Sequence, residues 1–250
     1  MISIKTEEEL AVMRENGRLL AGILEELLAE VRPHRSTAFF NQLAAERIAA
    51  CGGESAFDRL AGFPGVINTS LNEEVVHGVP NEERLLKAGD LFSIDIGMIR
   101  SGFCVDMATT VGVGPVSEAA ERLLGVGERS LWEGIKEARI AKRLSDVSHA
   151  IGAYVESQGF HVVKEYVGHG IGRDLHEDPQ IPNYGPPGRG VRLRAGMTLA
   201  IEPMVKVDDQ PTCVRDDQWT VVTATGGLSV HFEHTVAVTR EGAEVLTRRR

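Results

Sequence analysis

Residues 91–111 read LFSIDIGMIRSGFCVDMATTV: two apolar, β-branched runs flank the segment Ile99-Arg-Ser-Gly102, and each run carries one aspartate. Runs of this composition are strand-forming, and a short polar break ending in glycine reads as a hairpin turn in which Gly102 is free to take positive φ. With the turn centred between Arg100 and Ser101, Asp95 faces Asp106 across the ladder, Cβ atoms roughly 5 Å apart. Like charges opposed on a sheet are destabilising, and among Ile94, Ile96, Val105 and Met107 they would also be desolvated, so the pattern makes sense once a divalent cation is supplied between them. The alternative is a slipped register with one aspartate at the turn and the other in solvent.

Outward from the hairpin the chain alternates helices with strands. Thr6 with Glu9 forms a capping box, and Leu10, Met13, Gly17, Leu20, Leu24, Leu27 and Val31 follow at helical spacing, so a long amphipathic helix is expected to end before Pro33. A second helix fits Ser36 to Cys51, stopped by Gly52-Gly53. After Gly114-Pro115 the order repeats. Ser117 opens a helix through Leu123, Leu124, Leu131 and Ile135, and Ser145 opens another ending at Gly159. Apolar strand-like runs then occupy Met197 to Ile201, Trp219 to Thr225 and Phe232 to Val238. Two helices followed by strands, twice, predict an α+β protein with helices on one face of a mainly antiparallel sheet, organised as one domain over 1–250 with related halves of roughly 1–114 and 115–250.

The second half offers further ligand-type side chains. Glu202 closes the run Met197 to Ile201 just before Pro203, and Glu233 lies in Val230-His-Phe-Glu-His-Thr-Val236. His169 sits in Gly168-His-Gly-Ile-Gly172, His176 follows in Leu175-His-Glu-Asp-Pro179, and His77 lies in Val75-Val-His-Gly-Val-Pro80. Carboxylate oxygens with one imidazole suit paired divalent ions. Spacing alone does not choose between His169 and His176. His149 and His161 lack such settings and read as structural.

The chain holds 27 Lys and Arg against 36 Asp and Glu, a net charge of −9, so neither nucleic acid nor an anionic membrane is an expected partner. Arg248-Arg249-Arg250 reads as a solvated tail. Early charges at Lys5, Glu7, Glu8 and Glu9 do not resemble a secretory signal, which predicts a cytoplasmic protein. Cys51, Cys104 and Cys213 are far apart and read as reduced thiols. Neither a dinucleotide-binding glycine motif nor a phosphate loop is present.

Together these segments resemble the methionine aminopeptidases, in the short bacterial form of type I. The resemblance runs through Ile4 to Leu10 with Met13-Arg14 and Gly17, Asn72 to Pro80, Asp95-Ile-Gly97, Asp106, Gly168 to Arg173, Leu175 to Gln180, Gly196 to Met204 and Phe232 to Thr235. It implies the pita-bread fold, with pseudo-twofold duplicated halves around an antiparallel sheet. It also implies Asp95, Asp106, His169, Glu202 and Glu233 as ligands of two divalent ions per chain, whether Co, Mn, Fe or Zn, and so selects His169. By the same resemblance, a hydroxide held between the ions attacks the first peptide carbonyl, Glu202 carries the proton to the leaving amine, His176 meets the carbonyl oxygen and His77 the scissile amide. The substrates implied are the N-termini of newly made polypeptides, met at the ribosome, with a small second residue preferred and the enzyme a monomer.

Matching positions for the methionine pocket are Phe63, Asn68, Leu175 and Trp219. Asn68 stands where the family frequently has cysteine or threonine, Leu175 where an aromatic residue is frequent, and Gln218 where glycine is usual, which bears on selectivity. Prolidases and aminopeptidase P share the ligand set but usually carry an extra N-terminal domain, for which a chain starting at the first helix leaves no room. A non-catalytic binding protein on the same fold would be expected to lose ligands, and all five are intact.

Overall fold

The computed structural model describes residues 2–57 and 62–248. In chain order the elements are α1 (Glu7–Ala29), α2 (Thr37–Ala50), β1 (Glu54–Ser55), β2 (Asn68–Leu71), β3 (Glu74–Val76), β4 (Leu91–Arg100), β5 (Phe103–Gly112), α3 (Glu118–Glu137), α4 (Leu144–Ser157), β6 (His161–Val162), β7 (Gly168–Gly170), β8 (Glu177–Ile181), β9 (Thr198–Ile201), β10 (Met204–Lys206), β11 (Thr212–Val214), β12 (Val221–Thr223), β13 (Ser229–His231), β14 (Glu233–Val238) and β15 (Ala243–Val245). A nine-stranded sheet runs β1-β4-β5-β14-β9-β7-β8, with β2 added beside β4 and β15 beside β14, and its pairings are antiparallel. Two three-stranded sheets, β13-β10-β6 and β11-β12-β3, flank it.

Helix starts follow their caps. Thr6 Oγ1 accepts from Glu9 N while Thr6 N donates to Glu9 Oε2, and the hydroxyls of Ser36 and Ser117 accept from Phe39 N and Ala120 N. The fourth helix departs from expectation. It begins at Leu144, one residue before Ser145, because the Ser145 hydroxyl is taken by Arg189 N and the cap is made by Arg143 N donating to Asp146 Oδ2.

Side-chain alternation sets which face the helices cover. Phe92, Ile94, Ile96 and Met98 of β4 and Phe103, Val105 and Met107 of β5 pack with Leu10, Met13, Leu20 and Leu24 of α1 and Phe40 of α2. In the second half, Leu123, Leu131 and Ile135 of α3 and Val147, Ile151 and Val155 of α4 pack with Leu199, Ile201, Val236 and Val238. Each helix pair thus covers its own part of the sheet, and Asp95 and Asp106 are directed to the other face.

The hairpin register differs from the sequence reading. Ser101 and Gly102, with φ of 52° and 79°, form the two-residue turn, and Arg100 pairs with Phe103. A turn with positive φ at both central residues matches the right-handed twist of the strands, which favours this centre over one a residue earlier. Asp95 therefore lies opposite Ala108, and Asp106 opposite Gly97. Because the pairing shifts by two positions, both aspartates keep the same face and become diagonal neighbours, a spacing that eases their repulsion.

Gly97 is what makes the diagonal fit. A Cβ there would stand 2.9 Å from Ala56 Cβ and 3.1 Å from Asp106 Oδ1. Gly97→Ala should therefore destabilise the fold by about 1–3 kcal/mol through overpacking. Thermal denaturation measures it, and an unchanged midpoint would remove this role for the glycine.

Candidate metal and active site

Strand pairing gathers side chains from both halves. Asp95 pairs with Ala108, and Ala108 with Glu233. Asp106 is joined to β14 through Thr235, whose hydroxyl accepts from Asp106 N at 2.9 Å and donates to Asp106 O at 2.8 Å; Thr235 then pairs with Ala200, and Ala200 with His169. Glu202 follows two residues after Ala200, just past the end of β9. Small residues at 97, 108 and 200 leave room between the polar side chains.

These groups line a cavity of about 540 Å³ shared with His77, His176, His231, Asn68, Phe57, Tyr166 and Met204. One ligand atom each from Asp106, His169 and Glu233 lies within 4.8 Å of the others, and Glu202 Oε1 is 3.5 Å from His169 Nε2. His169 Nδ1 is 2.9 Å from Gly170 O; donating there leaves Nε2 as the lone pair facing the cavity. Asp95 Oδ1 and Glu233 Oε1 are buried with no hydrogen-bond partner among the described residues. Buried oxygens so exposed to loss of water call for a cation, and this oxygen-rich set with one imidazole fits divalent metal.

Electrostatics agree with that fit. Burial pushes the Asp95 carboxyl up to about 6 and that of Glu202 up to about 8. Asp106 and Glu233 are raised well above the usual range, first by burial and then by the neighbouring carboxylates. Burial holds His77 and His169 down to about 4 and lowers His176 and His231 as well, so the imidazoles are neutral near pH 7.

The two other histidines expected in the site reach it by different routes. His77 follows β3 with φ 58° and packs edge-on against Tyr166, ring centroids 5.6 Å apart. His176 precedes β8, its ring 4.5 Å from that of His169. Its loop is held by Glu177, which accepts from Arg173 N and pairs with the buried Lys5 Nζ at 2.5 Å.

The pocket residues are placed less uniformly. Asn68 lines the cavity, but its amide also donates to Asp95 Oδ2 at 2.6 Å, so this residue bears on a ligand carboxylate as well as on selectivity. Leu175 is packed in the core cluster with Ile171 and Phe103 and is not among the cavity-lining residues. Phe63 and Trp219 lie edge to face at 5.3 Å, with Phe63 6.2 Å from Phe57, and join the cavity through that ring. Gln218 has φ 65°, the left-handed conformation that glycine adopts at least cost, so its difference from the family is a matter of backbone. Reading from the sequence missed His231, although a period of two from Glu233 puts it on the same face, and missed Tyr166 and Met204, which carry no local signal.

The metallopeptidase family M24 model matches residues 11–240. The chain belongs to that family. Within M24 it resembles methionine aminopeptidase 1 of Bacillus subtilis, 50% identical over 248 residues that cover 99% of this chain and 100% of the relative. A solved methionine aminopeptidase from Thermotoga maritima superposes with a TM-score of 0.97 at 44% identity, covering 100% of both chains. The prolidase of Pyrococcus furiosus shares the fold, with a TM-score of 0.79 at 20% identity over 99% of this chain and 66% of that one. M24 aminopeptidase relatives use divalent metal, in keeping with the donor set here. Among the described residues no helix is long and apolar enough to cross a membrane.

Asn68→Ala should weaken divalent-metal binding about 10–100-fold by freeing the Asp95 carboxylate, as read by calorimetric titration; unchanged affinity would count against the Asn68 contact. The pH dependence of stability follows from the same cavity. The metal-free folded state holds protons on raised carboxyls, Glu202 up to about 8, that the unfolded chain has already released. Lowered histidines act in the opposite sense but only below about 6.5, their unfolded value. From about pH 6.5 to 8.5 the thermal midpoint of the metal-free protein should therefore fall, and saturating metal should remove the fall.

Proposed function

We propose that this chain removes the N-terminal methionine of newly made polypeptides, with a small second residue preferred, as a cytoplasmic monomer that meets its substrates at the ribosome. The reading is carried by the convergence of Asp95, Asp106, His169, Glu202 and Glu233 on one cavity, in a chain half identical over its whole length to a methionine aminopeptidase. These five would hold two divalent ions, and residues 1–250 would act as one catalytic domain with halves of roughly 1–114 and 115–250, since the ligands come from strands of both.

Divalent ions held by Asp95, Asp106, His169, Glu202 and Glu233 would supply Lewis acidity. The chain's own residues do the rest. Glu202 presents its carboxylate oxygens to the cavity, where one can take a proton and return it to the departing amine. His176, the most exposed of the cavity imidazoles, stands where an N–H can meet the peptide carbonyl oxygen as charge develops. His77, held by Tyr166 and by its own backbone conformation, orients the scissile amide. Phe57 and Asn68, backed by Phe63 and Trp219, form the wall against which the first side chain lies, with Leu175 supporting from the core.

Protein stripped of metal, then given Co, Mn or Fe, should release methionine from Met-Ala-Ser and leave Met-Leu-Ser largely intact. Asp106→Ala should abolish release, and His176→Ala should lower kcat by about 10²–10³. If no metal restores release, or if other first residues leave equally well, the reading is wrong.

A further inference from the structure

His231 lines the cavity without a role in the proposed chemistry. It ends β13 opposite Met204, and Thr110 of β5 grips its backbone from both sides. His231 N donates to Thr110 Oγ1 at 2.9 Å, and that hydroxyl donates to His231 O, also at 2.9 Å. Ser93 Oγ lies a further 2.8 Å from the same hydroxyl, so the strand end is tied to both strands of the aspartate hairpin. The ring is accordingly fixed in place, and His231 as a whole is only 2% exposed.

What the ring meets is Glu202. His231 Nε2 is buried, has no hydrogen-bond partner among the described residues, and stands 3.4 Å from Glu202 Oε2. The other carboxylate oxygen, Oε1, lies 3.5 Å from His169 Nε2. That nitrogen has no proton to give when Nδ1 donates to Gly170 O. Of the two imidazoles flanking Glu202, His231 alone can offer an N–H. A glutamate carboxylate has a broad last torsion, and an N–H donor at Oε2 narrows the orientations of its plane.

We infer that His231 is a positioning residue for Glu202: its Nε2–H donates to Oε2 and fixes the carboxylate with Oε1 on the His169 side. At 3.4 Å the contact is long, and hydrogen bonds of this kind commonly tighten in the complex with substrate. The inference rests on Glu202 acting as ligand and proton carrier, and adds the residue that keeps it aimed.

The test compares cobalt-loaded wild type, His231→Gln and His231→Phe on Met-Ala-Ser. The Phe variant should lower kcat about 10–100-fold, the range for partners that orient a ligand, with KM nearly unchanged. Gln keeps an N–H donor and should restore most of kcat. Bound cobalt per chain and its visible absorption should be the same in all three. A Phe variant as fast as wild type overturns the inference. Two equally slow variants with an unaltered cobalt spectrum would assign His231 to packing, and two with altered spectrum and lost cobalt would make it a ligand; either result also overturns it. If the Phe variant melts well below wild type, His231→Leu serves as the donorless form. Failure of the aminopeptidase reading is separate, since wild type itself would then release no methionine.

Discussion

Four carboxylates gathered in one cavity, three of them buried, are the constraint to which the rest of the molecule answers. Asp95, Asp106, Glu202 and Glu233 repel one another and have lost water, and all four are raised above their ordinary range as a result. Such a cluster survives only if the surroundings hold each group apart and something positive or protonated sits among them. Gly97, Ala108 and Ala200 provide the separation, the Asn68 amide and the Thr235 hydroxyl fix the flanking groups, and neutral imidazoles close the cavity without adding charge of their own.

That constraint also explains the long-range order of the fold. The hairpin supplies two aspartates, but Glu233 and His169 arrive on β14 and β7 and Glu202 just after β9, so the site exists only when strands of both halves pair in register. Both helix pairs sit on the far face and stabilise the sheet through apolar clusters, one of which reaches the cavity at Phe57. Farther contacts hold the loops around the cavity: Lys5 on Glu177 beside His176, and buried Glu74, which pairs with Arg84 and Arg215 and so joins the strand before His77 to the turn bearing Trp219. Stability and chemistry therefore occupy opposite faces of one sheet.

Much of this was legible in the order of residues. Caps at Thr6, Ser36 and Ser117 and the alternation in 91–111 are local signals, and they placed helices and hairpin faces well. The turn centre was misjudged by one residue because either Arg100-Ser101 or Ser101-Gly102 suits the local composition, and strand twist decides between them. Ser145 looked like a cap because its competitor, Arg189 N, lies 44 residues away. Leu175 and Asn68 could not be assigned from position in a motif, since what each touches depends on packing across the sheet. His231 differs from these, because a period of two from Glu233 already marks its face.

The most direct measurement is calorimetric titration of the metal-free protein with a divalent ion near pH 7, in buffers of differing ionisation enthalpy. If the buried carboxylates hold protons until a cation replaces them, binding releases protons and the observed heat scales with the buffer's ionisation enthalpy. Binding with no proton release, or no binding at all, would contradict the account of the cluster on which everything above depends.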